Sequence, residues 1–167
     1  MLRLRPYKPC DAKTIVSWIR NEYAFRQWCA DRFDRYPLTA EALNAHYDAQ
    51  RLNDAFYPMT AYDDAGVQGH MILRFTDQEK KHLRFGFVIV NDQKRGTGLG
   101  KEMLRLAIRY GLDMLKAETI SLGVFENNPA AFHCYRAAGF QVIERPEKEV
   151  YHVLGQTWPC IEMELCR

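Results

Sequence analysis

Glycines at alternate positions follow an apolar stretch and could bind an anion through the main chain. Gly96, Gly98 and Gly100 come after a β-branched run that ends at Val90, and a helical pattern follows. Glycine lets a ligand approach the backbone closely, and the first N–H groups of a helix have no partner within it. A strand, a glycine loop and a helix in this order are typical of phosphate-binding sites.

The residue types at defined positions of the loop distinguish three kinds of phosphate-binding site. A P-loop would need glycine at the position of Arg95 and serine or threonine at that of Glu102, and a dinucleotide fingerprint would need glycine at the position of Lys101. Neither condition is met. Arg-x-x-Gly-x-Gly remains, with a basic side chain, Lys94, beside it.

A second segment lies one helix and one strand downstream. Asn128 before Pro129 is typical of a helix N-cap followed by proline at the first helical position. Tyr135 lies on the predicted helix, Gly139 is typical of its C-terminal end, and Phe140 begins a strand. The pattern therefore predicts a short helix with a well-defined start and end.

These two segments together resemble the motifs of the GNAT N-acetyltransferase superfamily. The resemblance rests on Arg95, Gly98 and Gly100 in the first segment and on Asn128, Ala131, Tyr135, Gly139 and Phe140 in the second. The opening Leu-Arg-Leu-Arg-Pro, with Asp11 before the first helix, also looks like the subgroup that includes ribosomal-protein N-terminal acetyltransferases.

The resemblance implies that acetyl-CoA is the co-substrate and that no metal takes part. Backbone N–H groups from about Arg95 to Gly100 would surround the pyrophosphate, and the edge at Val88 and Val90 would pair with the pantetheine arm. In these folds the central strands diverge where the cofactor enters, and an N–H near Val88 would stabilise the oxyanion. Gly123 fits a close approach at this place and equally a simple packing role.

The resemblance also assigns proton transfer. Tyr135 is the candidate general acid, because a phenol with a pKa of about 10 is protonated at neutral pH and can protonate a thiolate. Many relatives carry a glutamate base early in the strand before the glycine loop, but Arg84 stands about there in this chain. Glu126 is the alternative base, His82 and His133 are others, and water could also relay the proton.

The candidate site has two parts. Asn128 would orient the cofactor arm while it caps its helix, and Ala131 and Phe132 would line the arm. The catalytic candidates are Tyr135 and Glu126, and the candidates for cofactor binding are Val88, Val90, Arg95, Gly96, Thr97, Gly98, Leu99, Gly100, Lys101, Asn128, Ala131 and Phe132.

Hydrophobic periodicity places these motifs in an α/β fold. The expected architecture is the GNAT-type mixed, mostly antiparallel central sheet flanked by helices, in the order β-α-α-β-β-β-α-β-α-β-β, as one acetyltransferase domain over 1–167. The main predicted helices are Asp11–Arg20, which could continue as a second short helix over Tyr23–Trp28, then Thr39–Leu52 and a helix from the loop to about Lys116. The main predicted strands are His82–Val90, Phe140–Glu144 and Trp158–Leu165. Pro146–Gly155 stays undecided.

Composition narrows the class and the compartment. The 167 residues are 47% hydrophobic and 26% charged, with a net charge of +2 that argues for neither a nucleic-acid nor a membrane partner. The 5 cysteines form no C-x-x-C pair, which favours free thiols in a reducing cytosol. The N-terminus lacks the apolar core of a signal peptide, so a cytoplasmic protein is expected.

The sequence does not choose among four classes of amine acceptor: a protein N-terminus, an amino acid, a polyamine or an aminoglycoside-like amine. Aromatic residues between Trp18 and Tyr36 are expected mostly in the core, with an acceptor pocket or a homodimer surface as alternatives. The alternative functions are a non-catalytic sensor of acetyl-CoA and an enzyme that uses another phosphate-containing cofactor.

Overall fold

The structure is a computed structural model that describes residues 1–166, without the side chain of Cys166. The strands are β1 (Arg3–Pro6), β2 (Phe56–Asp63), β3 (Gly66–Phe75), β4 (His82–Val90), β5 (Thr119–Phe125), β6 (Gln141–Val142), β7 (Val150–Val153) and β8 (Gln156–Cys166). The α-helices are α1 (Ala12–Ser17), α2 (Glu22–Cys29), α3 (Ala40–Asp48), α4 (Leu99–Arg109) and α5 (Pro129–Ala138).

The strands form one 8-stranded sheet in the order β1-β2-β3-β4-β5-β8-β6, with β7 paired to β8. Neighbouring strands are antiparallel except β4 and β5, which are parallel and are joined by the crossover through α4. The predicted mixed, mostly antiparallel sheet flanked by helices is therefore confirmed.

The order of elements differs from the prediction at two places. Three α-helices precede β2, because Asn21 starts a separate helix: its side chain accepts a hydrogen bond from the Ala24 N–H at 2.8 Å. The undecided stretch before Gly155 contains β7, which forms a hairpin with β8.

Three predicted boundaries shift. The helix expected to reach Leu52 ends at Asp48, and the strand expected over 140–144 covers only Gln141–Val142. The helix after the glycine loop ends at Arg109 and continues as a π turn over Tyr110–Met114. This turn packs Gly111 so tightly that a Cβ there would lie 2.8 Å from Leu83 Cδ2.

The central feature of the sheet is the short pairing between β4 and β5. Only His82–Arg84 pairs with Thr119–Ser121, and beyond these residues the two strands diverge. On its other side β4 carries a bulge, since Phe87 and Val88 lie between residues that pair with His70 and Ile72 of β3. Phe87 has a φ of +50°, which is unusual for a residue with a bulky side chain.

The bulge divides the buried face of β4 between two cores. Leu83 and Phe85 pack in the cluster that includes α4 and α5, whereas Phe87 and Ile89 pack in the cluster under α1, α2 and α3. In a regular strand these four residues would all point to one face. The bulge therefore lets one strand contribute to the cores on both sides of the sheet.

A buried polar cluster lies in the second of these cores. His70 on β3 is fully buried, and its Nε2 lies 2.6 Å from the Tyr47 hydroxyl on α3. Burial lowers the pKa of His70 from 6.5 to about 3. Asp11 is also buried and accepts hydrogen bonds from Arg5 and Thr60, and these partners hold the pKa of its carboxyl below 3.8 despite desolvation.

Three further properties concern only the part of the chain that the structure describes. No helix there is long and apolar enough to cross a membrane. No three or more His, Cys, Asp or Glu side chains are grouped so that they could hold a metal ion. Cys10, Cys29, Cys134 and Cys160 are free thiols.

The buried histidine predicts a pH dependence of stability. The unfolded chain binds a proton at His70 near pH 6.5 and the folded chain only near pH 3, so the free energy of unfolding should fall as the pH drops through this window. The slope from one such group is at most about 1.4 kcal/mol per pH unit. Urea unfolding of the wild type and His70→Gln between pH 4.5 and 7 should show a shallower slope for the variant. Equal slopes in the wild type and in His70→Gln would contradict this prediction. His152→Gln, at an exposed histidine, is the control and should keep the wild-type slope.

Candidate functional site

A groove of about 530 Å³ opens where β4 and β5 diverge. Its walls come from β4, the glycine loop, the start of α4, one face of α5 and, across the groove, α2. Most of the predicted site residues line it: Val88, Val90, Arg95, Gly96, Gly98, Gly100, Lys101, Asn128, Ala131 and Tyr135. The groove thus brings together two motifs that are about thirty residues apart in the chain.

The glycine loop presents its backbone to this groove. Gly96 and Gly98 have φ angles of +77° and +88°, and a Cβ at either position would meet no atom within 4 Å. Gly98 is the N-cap of α4, so the first N–H groups of this helix have no intrahelical partner. A Cβ at Gly100 would lie 3.0 Å from Cys134 Sγ, which keeps α4 and α5 close. This concave, amide-lined, basic loop fits a phosphate group.

Two predicted cofactor-binding residues in the loop do not line the groove. The Thr97 hydroxyl donates a hydrogen bond to the Lys94 carbonyl at 2.7 Å, so this side chain closes the preceding turn. Leu99 packs against the core beneath α4. Both side chains therefore hold the loop in shape, and the prediction of direct cofactor contact by these side chains has no support in the groove lining.

The second motif positions a buried phenol. The Asn128 side chain accepts a hydrogen bond from the Ala131 N–H at 3.2 Å, which caps α5, and Pro129 occupies the first turn. Gln27 of α2 donates to the Asn127 carbonyl at 3.0 Å and ties the loop before α5 to the opposite wall. Tyr135 is 8% exposed, and burial raises the pKa of its hydroxyl above the ordinary 10. The phenol therefore stays protonated at neutral pH.

Glu126 and Phe132 lie elsewhere, in a neighbouring cavity of about 700 Å³ bordered by β8 and the segment after β6. The Glu126 N–H donates to the Pro159 carbonyl, which holds the residue toward β8, and its carboxylate accepts a hydrogen bond from Lys148 Nζ at 2.6 Å. The structure does not bring Glu126 to the groove that contains Tyr135. Phe132 points to the same neighbouring cavity because it lies on the opposite face of α5.

The two histidines differ in placement. His82 lies where β4 and β5 are still paired, next to Thr119, and is exposed away from the groove. His133 is exposed on α5 and lines the groove. Of the two, His133 therefore lies nearer to the site.

An ion pair that the sequence did not predict lies between the groove and the neighbouring cavity. Arg84 of β4 reaches across β5 and donates two hydrogen bonds to Glu162 of β8, at 2.6 and 3.1 Å. It also donates to the Ser121 hydroxyl at 3.2 Å, and Arg145 lies 3.7 Å from the same carboxylate. Arg84, at the position where the family resemblance implies a carboxylate, thus pairs with a carboxylate from β8, two strands away in the sheet.

Gly123 makes this ion pair possible. A Cβ at this position would lie 2.9 Å from Arg84 Nη2 and 2.8 Å from Cys160 Sγ, so only glycine leaves room for the guanidinium to cross β5. Gly123 also lines the groove, while Cys160 and Glu162 line the neighbouring cavity. The two cavities thus adjoin at this glycine, and the contacts shown there are with the packed side chains of Arg84 and Cys160.

Comparisons with known proteins match both motifs. The family described as acetyltransferase (GNAT) family matches residues 16–140. A spermine/spermidine N(1)-acetyltransferase of Bacillus subtilis (strain 168) is 38% identical over 67 residues, 39% of this chain and 44% of that protein. An N-acetyltransferase 9-like protein of Nematostella vectensis is 24% identical over 159 residues, 88% of this chain and 79% of that protein.

A solved structure shares the fold. The crystal structure of spermidine N-acetyltransferase from Vibrio cholerae in complex with CoA and spermine has a TM-score of 0.81 and 20% identity, over 99% of this chain and 95% of that chain. The chain matches under half of the length of the Bacillus protein, at 44%. The Bacillus and Vibrio proteins are named for polyamines and none of the three for ribosomal proteins, so these comparisons support the superfamily and not specifically the expected ribosomal-protein subgroup.

The tight packing at Gly123 predicts a costly substitution. Gly123→Ala should destabilise the fold by about 1–3 kcal/mol, because the new methyl group displaces the Arg84 guanidinium or the Cys160 thiol. Urea unfolding measures this loss. Gly123→Ala/Cys160→Ala should recover part of it, since one of the two close contacts is then relieved. A Gly123→Ala variant as stable as the wild type would mean that the ion pair does not need this space.

Proposed function

The chain belongs to the GNAT acetyltransferase family, and we propose that it transfers the acetyl group of acetyl-CoA to a primary amine of a small molecule. One observation carries the proposal. The unpaired side of β4, the amide-lined loop before α4 and the buried phenol of Tyr135 share one groove. A catalyst of this transfer needs a place for a phosphate, a place for an extended arm and a proton donor, and this groove offers all three.

The binding half of the proposal rests on main-chain groups. The N–H groups at the start of α4, the positive end of its dipole and the basic Arg95 and Lys101 would hold the pyrophosphate of acetyl-CoA. Val88 and Val90 lie where β4 has no neighbour on the β5 side, so their backbone groups are available to an arm that carries amides. Acetyl-CoA supplies the activated acetyl thioester.

The catalytic half rests on Tyr135. Its hydroxyl is kept protonated by burial and would donate that proton to the departing thiolate. The amine attacks directly, so the chain needs no covalent intermediate of its own. Arg84 occupies the position from which many relatives offer a carboxylate, and Glu162 faces the same junction instead. Water or the amine's own equilibrium can supply the neutral nucleophile.

We further propose a polyamine as the acceptor, the class for which the Bacillus and Vibrio relatives are named. The neighbouring cavity supports this choice, since carboxylates outnumber cations in its lining and apolar side chains lie between them. Its charged residues are Glu126, Glu144, Glu147, Glu149, Glu162, Arg145 and Lys148, and its apolar residues include Phe132, Val142, Ile143 and Ile161. Ammonium groups separated by methylenes match such a surface in charge and in polarity.

The first test of the proposal measures acetyl-CoA binding by the glycine loop. Calorimetric titration of acetyl-CoA should show binding of about micromolar affinity that disappears in Arg95→Glu/Gly98→Trp, because the new charge repels phosphate and the indole fills the open side of the loop. Arg109→Glu/Gly155→Trp makes the same two changes at exposed positions away from the groove and should bind normally. A wild type that does not bind acetyl-CoA would overturn the proposed function.

Removal of the Tyr135 hydroxyl should lower the rate of acetyl transfer without changing the affinity for acetyl-CoA. Tyr135→Phe should lower kcat with spermidine or spermine by about a hundredfold or more, while the acetyl-CoA affinity stays within about twofold. Release of CoA, followed with a thiol reagent, gives the rate, and Tyr57→Phe, whose hydroxyl binds the Asp54 carbonyl, is the control. An unchanged rate would remove Tyr135 from catalysis. A protein with no activity on any amine would favour the sensor alternative.

A further inference from the structure

The indole of Trp28 on α2 carries a buried hydrogen-bond donor with no partner. Trp28 lines the groove on the wall formed by α2. Its Nε1 is inaccessible to solvent and makes no hydrogen bond within the described part of the chain. Trp158 shows the ordinary situation, because its Nε1 donates to the Gln156 side chain at 3.0 Å.

Aromatic packing holds the Trp28 indole in place. Its ring is stacked on Phe33 with 4° between the ring planes and centroids 6.1 Å apart, and it contacts the Phe87 ring at a centroid distance of 4.9 Å. Phe87 belongs to the bulge of β4, one residue before Val88. The unpartnered donor is therefore fixed on the α2 wall, level with the place where β4 becomes available to a ligand.

A buried donor without a partner is rare in folded proteins, because losing water without replacement costs free energy comparable to a lost hydrogen bond. Such a group in a binding groove indicates a partner that arrives with the ligand. An indole N–H donates and cannot accept, so that partner must offer a lone pair. Protonated polyamines offer only donors and methylenes, whereas amide and thioester carbonyls offer oxygen.

We propose that Trp28 is a ligand-binding residue whose Nε1–H donates a hydrogen bond to a carbonyl oxygen in the groove. Acetyl-CoA is the favoured source of that oxygen, since its arm carries amide carbonyls and the proposed polyamine acceptor carries none. An acceptor molecule that contains oxygen is the other source. This inference rests on the proposed function and adds a side-chain donor on α2 to the main-chain groups of β4 that are available to the arm.

The test compares two tryptophans, each replaced by phenylalanine, so that both variants lose the indole N–H together with the same part of the ring system. Trp28→Phe keeps an aromatic ring against Phe33 and Phe87, and calorimetry should show its acetyl-CoA dissociation constant raised by about tenfold. Trp158→Phe is the matched control and should bind as the wild type does, since its donor is already paired. In saturating acetyl-CoA, the KM for spermine should stay within about twofold in both variants.

The wild type gives a second readout that does not depend on a Trp28 variant. The chain has 3 tryptophans, so a ¹⁵N spectrum shows three indole N–H signals, which Trp18→Phe and Trp158→Phe assign by elimination. Addition of acetyl-CoA should move the Trp28 signal downfield. A shift caused by an oxygen-containing acceptor and not by acetyl-CoA would assign the bond to the acceptor.

The outcomes separate this inference from the function on which it rests. If the wild type binds acetyl-CoA, but the affinity of Trp28→Phe is unchanged and the indole signal responds to neither substrate, the inference is wrong and the proposed function stands. If the wild type does not bind acetyl-CoA at all, the proposed function fails and the inference fails with it.

Discussion

The architecture depends on where β4 stops pairing with β5. Parallel strands are normally paired along their length, but here the ladder covers His82–Arg84 only, and the sheet opens beyond it. The bulge at Phe87–Val88 turns the free part of β4, so that Phe87 and Ile89 fill the core under α1–α3 while Val88 and Val90 face the groove side. Hydrophobic burial on both faces holds this part of β4 in place although it has no neighbour on the β5 side. Burial therefore stabilises the gap between β4 and β5, which strand pairing by hydrogen bonds alone would close.

The Arg84–Glu162 pair stabilises the sheet at the point where it opens. It joins β4 to β8 across β5 just before the divergence, and both side chains are largely buried. A buried pair of this kind contributes little net stability, because desolvation offsets much of the attraction, but removing one partner leaves an uncompensated charge. Its value here is geometric: it fixes the spacing of three strands at the junction of the two cavities.

Local chemistry made much of the candidate site predictable. The Asn128 cap, Pro129 and Gly139 determine the limits of α5 through contacts within a few residues, and the glycine loop follows from backbone conformation alone. Contacts between residues that are far apart in the sequence could not be predicted from local patterns in this way. Leu83, Phe85, Phe87 and Ile89 alternate as in one regular strand, so nothing in their spacing reveals the bulge that divides them. The position of Glu126 outside the groove depends on its hydrogen bond to Pro159 next to β8, and the Arg84–Glu162 ion pair joins residues 78 positions apart, so neither follows from local spacing.

The divergence has a consequence for what can enter the sheet. A strand with free N–H and C=O groups at the edge of a sheet invites another polypeptide to add to it, and proteins protect such edges against aggregation. The free side of β4 lies inside the sheet and faces the gap between β4 and β5. This gap begins after Arg84, the last residue of β4 that pairs with β5, and it opens toward the loop before α4. A second polypeptide strand needs about 4.8 Å of constant spacing on its open side and side-chain room on both faces. The diverging strands do not offer this constant spacing, so a second polypeptide strand cannot form a regular ladder there, whereas a chain with widely spaced amides needs no such ladder.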